Sequence, residues 1–262
     1  MAEVTSHATG SFCWSELNTT DPAAAKQFYG AVFGWEPVDT PAGPDMVYTM
    51  LRMRGLDIGA MCEMPAAQKQ QGVPAHWNLY IAVESAEAAA QKAVQLGGQQ
   101  LMLHEVGAQG RLAVLQDPQG AVLSVWQAGT HFGSRLVGEF GTFCWGELWT
   151  SDCAKAADYY SGLFGWGAKI GSPGAPSEYT EWQLGEQSIG GMMAIKPEMG
   201  PVPPNWLPYF MVENCDATVS KALAAGGTAC VEPMDIPQVG RFSVISDPQG
   251  GMFAVIALLP MG

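Results

Sequence analysis

The sequence predicts an α+β protein built from two copies of one domain, each copy a pair of βαβββ modules. Three observations predict it. The first is a near-complete internal repeat: Gly10-Ser11-Phe12-Cys13-Trp14-Ser15-Glu16-Leu17 returns half a chain later as Gly141-Thr142-Phe143-Cys144-Trp145-Gly146-Glu147-Leu148. Phe33-Gly34-Trp35 returns as Phe164-Gly165-Trp166, and Tyr48-Thr49 as Tyr179-Thr180. Gly110-Arg111 with Asp117-Pro118-Gln119-Gly120 returns as Gly240-Arg241 with Asp247-Pro248-Gln249-Gly250. A repeat of this length is a duplicated domain, not a solenoid unit. The second observation is the order of β-rich runs and capped helices, which is the same in both halves. The third is size: 262 residues with 48% hydrophobic content can fill two cores. The domains are expected at 8–127 and 140–259, joined by a linker at 128–139.

Each element has a local reason. Phe12 to Asn18 is a β-rich run. Asp21 then offers an N-cap oxygen, and Pro22 occupies the first helical position, where its missing N–H costs nothing. The helix buries Phe28, Val32 and Phe33 and ends at Gly34. Asp152 opens the equivalent helix, which buries Tyr159 and Leu163 and closes at Gly165. Two short strands follow in each half, around Val47–Met53 and Ile58–Glu63, then Tyr179–Leu184 and Ile189–Ile195. A second strand runs from Trp77 to Val83, followed by a helix capped by Ser85 and stopped at Gly97-Gly98. Its partner strand is Trp206 to Val212, with a helix from about Asp216 to Ala225. Asp117-Pro118-Gln119-Gly120 has the residue order of a type I turn joining the last two strands. Pro/Gly-rich loops are expected at 41–44, 67–74, 171–176 and 197–204, where ligand-covering loops often sit.

Composition narrows the function. A net charge of −13 with only 12 Lys plus Arg argues against nucleic acid or an anionic membrane as partner. No run of 18 apolar residues predicts a membrane span. The first residues lack the basic and apolar segments of a signal peptide. The six cysteines show no CxxC spacing, so a reducing cytoplasm is expected. The tandem copies supply the pairing that a single domain would obtain by dimerising, leaving monomer and homodimer both open.

The helix after strand one, the D-P-x-G turn before the last strand and the Phe-Gly-Trp helix end together resemble the vicinal oxygen chelate superfamily. This superfamily includes glyoxalase I, extradiol dioxygenases and bleomycin-resistance proteins. The chain is similar to its tandem glyoxalase-like "hydroxylase" subgroup. The resemblance implies tandem glyoxalase-like domains, each a half-open curled sheet, and a divalent metal as Lewis acid. Its ligands would come from the first strand, the middle strand and the last strand. Carried over, those positions are Trp14, Asn78 and Ser124 in one half, and Trp145, Leu207 and Ala254 in the other. Indole, Leu and Ala do not coordinate, and Asn and Ser are poor ligands for a catalytic transition metal. No cofactor is therefore recognisable.

Strand alternation then says what lines the pocket. Inward residues are expected to be Phe12, Trp14, Glu16 and Asn18, then His76, Asn78 and Tyr80, then Ser124 and Trp126. The second half offers Phe143, Trp145, Glu147 and Trp149, then Asn205, Leu207 and Tyr209, then Ala254 and Ile256. Glu16 and Glu147 are the candidate catalytic residues, as bases or anchors, since a carboxylate inside an apolar strand is costly without a partner. The competing reading pairs them with Arg111 and Arg241 as structural ion pairs. Trp14, Trp126, Trp145, Tyr80 and Tyr209 are candidate ligand contacts or simply core. Ser124, Asn78, His76 and Asn205 add polarity; a metal on His76 and Glu16 stays open as the lesser alternative, since two ligands seldom suffice. His7, His104 and His131 are expected at the surface. The sequence therefore favours a protein that binds a small aromatic or polar ligand. A metal-dependent lyase or dioxygenase and a metal-free enzyme with Glu16 or Glu147 as base remain open, with the first half holding the more polar pocket.

Overall fold

A computed structural model gives the structure of the chain and describes residues 3–43, 46–171 and 178–259. The first half comprises β1 (Phe12–Thr19), α1 (Pro22–Phe33), β2 (Glu36–Pro41), β3 (Val47–Met53), β4 (Leu56–Glu63) and α2 (Ala66–Gln70). It continues with β5 (His76–Ala82), α3 (Ala86–Gln95), β6 (Gln99–Glu105), β7 (Gly110–Gln116) and β8 (Val122–Ala128). The second half repeats this order with β9 (Phe143–Thr150), α4 (Cys153–Phe164), β10 (Gly167–Ile170), β11 (Thr180–Leu184) and β12 (Gln187–Ala194). Then come β13 (Asn205–Met211), α5 (Cys215–Ala224), β14 (Thr228–Ile236), β15 (Gly240–Ser246) and β16 (Met252–Leu258). Each half forms one eight-stranded sheet, in the orders β2-β3-β4-β1-β5-β8-β7-β6 and β10-β11-β12-β9-β13-β16-β15-β14. The first and last strands of each module pair in parallel, and β1 with β5 and β9 with β13 join the modules antiparallel.

The caps read from the sequence form. Asp21 accepts from the Ala24 N–H at 3.0 Å, and Gly34 closes α1 in the left-handed region. Asp152 and Gly165 do the same for α4. The start of α5 differs from expectation. Asn214, with extended backbone, takes the N-cap role by accepting from the Ala217 N–H, and Asp216 lies inside the first turn and pairs with Arg241. The segment expected as a loop at 67–74 holds α2, and that at 197–204 holds a short 3-10 turn. Of the loops expected at 41–44 and 171–176, Pro44 and residues 172–176 lie outside the described residues.

The helix-bearing face of each sheet is covered by the opposite half. α1 lies beside α5, and α3 beside α4. One core joins Phe28, Tyr29, Trp35 and Trp77 to Phe210, Phe253 and Val255; its mate joins Leu79, Ile81 and Val125 to Tyr160, Trp166 and Trp206. Tyr29 Oη donates to Asp247 Oδ2 at 2.9 Å and accepts from Trp77 Nε1, and Tyr160 Oη donates to Asp117 Oδ2 at 3.1 Å and accepts from Trp206 Nε1. The carboxylates belong to the D-P-x-G turns, where each Oδ1 also accepts two backbone N–H groups. The Phe-Gly-Trp motif completes the clamp. Trp35 Nε1 donates to the Gly141 carbonyl and Trp166 Nε1 to that of Gly10, both at 2.7 Å. Gly10 and Gly141 open the repeated motif because their φ values, +88° and +82°, suit glycine and any Cβ would crowd side chains of the other half.

Both cross-half phenols are buried, so removing one leaves its aspartate oxygen short of a donor. Y29F or Y160F should each lower unfolding free energy by about 1–3 kcal/mol in urea titrations. A change within error for both would contradict this clamp.

Candidate functional site

The opposite, concave face of each sheet holds a second set of side chains. Along the pairing register Trp14 faces Tyr80 and Glu16 faces Asn78 across β1 and β5, and Tyr80 lies beside Ser124 and Ala82 beside Trp126. Trp14, Tyr80 and Trp126 cluster there with Ala60, Cys13 and the half-buried Tyr48 and Met50. In the second half Trp149, Leu207, Tyr209, Ala254 and Ile256 cluster with the half-buried Trp145. Phe12 and Phe143 do not join them, contrary to the alternation argument. A register shift between Phe12 and Trp14, and another between Tyr209 and Phe210, turns these rings to the other face. There they pack on each other, with centroids 5.5 Å apart.

The two glutamates sit at matching positions on β1 and β9, and each is held by phenols. Tyr48 Oη donates to Glu16 Oε2 at 2.6 Å, Tyr80 Oη to Oε1 at 3.2 Å and Asn18 Nδ2 to Oε1 at 3.5 Å. Trp14 Nε1 donates in turn to Tyr48 Oη. Around Glu147, Tyr179 Oη donates to Oε2 at 2.8 Å, Tyr209 Oη to Oε1 at 2.9 Å and Trp149 Nε1 to Oε1 at 2.8 Å. Trp145 Nε1 donates to Tyr179 Oη, as Trp14 does to Tyr48. Glu16 is 9% and Glu147 5% exposed. Burial raises both carboxyl pKa values above the ordinary range, against the lowering effect of the donated hydrogen bonds. Burial and the adjacent carboxyl together push the phenols of Tyr48, Tyr80, Tyr179 and Tyr209 well up, so they remain protonated donors.

The ion pairs considered for these glutamates do not form. Arg111 bonds Glu105 and approaches Glu87, and Arg241 bonds Asp216 and Asp235, all with exposed partners. β7 places Arg111 beyond Gly110 at the rim, where the planar guanidinium finds surface carboxylates without losing its hydration. Tyr48 and Tyr179 are the site residues the alternation argument missed. The signal was present, because Tyr48-Thr49 and Tyr179-Thr180 are themselves a repeated pair.

The remaining candidates divide. Asn78 Nδ2 donates to Ser124 Oγ at 2.7 Å within the first concave face. His76 and Asn205 stand at the ends of β5 and β13, half-buried, and bond the carbonyls of Pro74 and Pro203 in their own loops. Trp126 Nε1 is committed to the His131 carbonyl at 2.8 Å. His131, expected at the surface, is half-buried, its ring edge-on to Trp14 at 4.7 Å, because the linker folds back over the end of the first sheet. His7 is half-buried too and bonds the Ser134 carbonyl. Two surface cavities of about 230 and 460 Å³ lie at the matching rims near Arg111 and Arg241, lined by neither glutamate. Among the described residues no three His, Cys, Asp or Glu side chains converge so as to hold a metal ion. No described helix is long and apolar enough to cross a membrane.

Two family models match, that of the glyoxalase-like domain over residues 14–126 and that of the glyoxalase/bleomycin resistance protein/dioxygenase superfamily over residues 142–255. CFP32 of Mycobacterium bovis, named as a candidate glyoxylase, is 41% identical over 94% of both chains. The chain belongs to the vicinal oxygen chelate superfamily, as two tandem glyoxalase domains. Another member of this size, the anthracycline biosynthesis protein DnrV of Streptomyces peucetius, is 32% identical over 97% of this chain and 96% of its own. Among solved structures of the superfamily, the Mn(II)-bound glyoxalase of Novosphingobium aromaticivorans superposes with a TM-score of 0.63 at 13% identity, covering 99% of this chain and 84% of its own. The 2,3-dioxygenase LapB of Pseudomonas sp. KL28 gives 0.63 at 12% identity, covering 98% and 93%. At such identities the likeness is one of fold.

The raised carboxyl pKa of this superfamily member has a stability consequence. Because the folded state holds the Glu147 proton more tightly than the unfolded chain, that proton's contribution is full below the ordinary glutamate value. It is lost as pH rises through the folded value. E147Q should therefore show a flatter dependence of urea-unfolding free energy on pH above 4.5 than the parent; an unchanged slope would count against the buried carboxyl as its source. A Cβ at Gly191 would collide with Tyr179 Oη, so G191A should displace that phenol and cost about 1–3 kcal/mol, read by the same titration.

Proposed function

We propose that this tandem glyoxalase-fold protein binds a small, flat aromatic ligand carrying polar groups against the concave face of its sheet, using the buried glutamate as hydrogen-bond anchor. One observation carries the reading: each half buries a carboxyl among indoles and phenols, and among the described residues its hydrogen-bond partners include no Lys or Arg. A carboxyl taken out of water costs stability that neutral donors only partly offset, and buried acids with raised pKa values cluster at binding and catalytic sites. Aromatic walls with a few convergent polar groups suit such a ligand. The name of the Streptomyces relative, an anthracycline biosynthesis protein, supports a polycyclic aromatic class.

The superfamily's metal does not fit these residues. Its ligand positions carry Trp14, Asn78 and Ser124, with the Asn78 amide nitrogen already bonded to Ser124 Oγ, and Trp145, Leu207 and Ala254 in the other half. Side chains without usable lone pairs occupy most of that set. Binding therefore rests on the chain's own carboxyls, phenols and indoles.

A second reading, general-base chemistry at Glu16, is favoured by its raised pKa, which makes the ionised carboxylate a stronger base. In that case Tyr48 and Tyr80 would hold the carboxyl in place while it takes a proton from the ligand.

Calorimetric titration with 2-naphthol tests the main reading. The protein should bind it saturably, with affinity unchanged after exhaustive chelation and reduced at least tenfold in the E16Q/E147Q double variant. Loss of binding on chelation, restored by a divalent ion, would overturn it. A turnover rate that follows the ionisation of one group and vanishes in E16Q would favour the base reading.

A further inference from the structure

The internal repeat supplies its own control, since every residue of one concave face has a counterpart in the other. Around Glu147 the network is closed. Its Oε1 accepts Trp149 Nε1 and Tyr209 Oη at 2.8 and 2.9 Å, and Oε2 accepts Tyr179 Oη at 2.8 Å. Its flanking positions are carbon, Leu207 and Ala254, both buried. Around Glu16 the corresponding Oε1 is held loosely. The place of Trp149 is taken by Asn18, whose contact stretches to 3.5 Å, and Tyr80 Oη lies at 3.2 Å. The Cys62 thiol reaches both Oε1, at a long 4.0 Å, and Asn18 Oδ1 at 3.3 Å.

Leu207 and Ala254 are replaced in the first half by Asn78 and Ser124. Asn78 is 8% exposed, and its amide nitrogen is spent on Ser124 Oγ, yet its Oδ1 has no hydrogen-bond partner. A buried acceptor without a donor costs roughly 1–3 kcal/mol. The fold keeps this cost directly across the strand pair from the one glutamate oxygen with weak contacts. Both groups are acceptors, and the indoles of Trp14 and Trp126 lie in one cluster on this face. The linker adds His131 against both rings.

We propose that the first concave face alone is the ligand site, and that it takes a neutral aromatic molecule whose hydroxyl donates to the unpartnered Asn78 Oδ1 or to Glu16 Oε1 in place of its long contacts. The second face, with its carboxyl held by three donors at 2.8–2.9 Å and carbon side chains beside it, is structural. This rests on the binding reading above and assigns it to one half and one ligand chemistry. Anionic aromatics are rejected, because a carboxylate would meet two acceptors and bring no donor.

Calorimetry on the intact chain with 2-naphthol and with 2-naphthoate tests this. One equivalent of 2-naphthol should bind, with 2-naphthoate at least tenfold weaker. N78L, which installs the second half's residue, should weaken 2-naphthol at least tenfold while the thermal midpoint stays within a few degrees. If N78L does not fold, S124A should weaken binding at least threefold by freeing the Asn78 amide. Two equivalents bound with like affinity would overturn the single-site inference and leave the binding reading standing. Equal affinity for the two probes, or unchanged affinity in both variants, would overturn the donor inference. No binding of either probe would remove both readings.

Discussion

Mutual burial of the two helix-bearing faces is the constraint on which everything else in this molecule depends. Neither half closes its own core: the rings around Tyr29 and Trp35 are completed by Phe210 and Phe253, and those around Tyr160 and Trp166 by residues of the first half. The polar groups inside this interface are answered across it, phenol to aspartate and indole to glycine carbonyl. Buried polar groups satisfied only by the partner half fix one arrangement and penalise slippage. That fixed arrangement is what allows the concave faces to be shaped separately from the interface.

On those concave faces the same strand carries an aromatic anchor and, two residues on, a carboxyl. Glu16 and Glu147 are acids in low-dielectric surroundings whose compensation comes mainly from neutral donors, with a smaller charge effect of His76 at Glu16. Neutral donors lower a carboxyl pKa less than an adjacent guanidinium would, so desolvation prevails and both groups are shifted up. The result is a buried acid held in place by phenols that stay protonated. The copies have then diverged at a few positions, Asn18 against Trp149, Asn78 against Leu207 and Ser124 against Ala254.

Much of this was legible in the chain. The repeat gave the domain count, and Asp21, Gly34, Asp152 and Gly165 gave the helix ends, because capping is local chemistry. The glutamates stood out for the same reason: a carboxyl in an apolar strand is anomalous wherever it folds. What was not legible depended on contacts distant in sequence. The register shifts that turn Phe12 and Phe143 to the interface do not show in a period-two pattern. Arg111 and Arg241 repeat as faithfully as the glutamates, so the repeat alone suggested a pairing that rim geometry prevents. Tyr48 lies on the third strand, and only the sheet order brings it to Glu16. The turn aspartates read as turn formers; their second role, accepting a phenol from the other half, required the packed structure. His131 reads as a surface residue of the linker, and only the path of the linker back over the sheet brings it against Trp14 and Trp126.

The most direct measurement is a carbon-13 NMR titration of glutamate side-chain carboxyls, assigned with E16Q and E147Q, with and without 2-naphthol. Both groups should titrate above the ordinary value of 4.5, with only Glu16 moving when the ligand is added. Titration of Glu16 at or below that value, or a response confined to Glu147, would contradict the account.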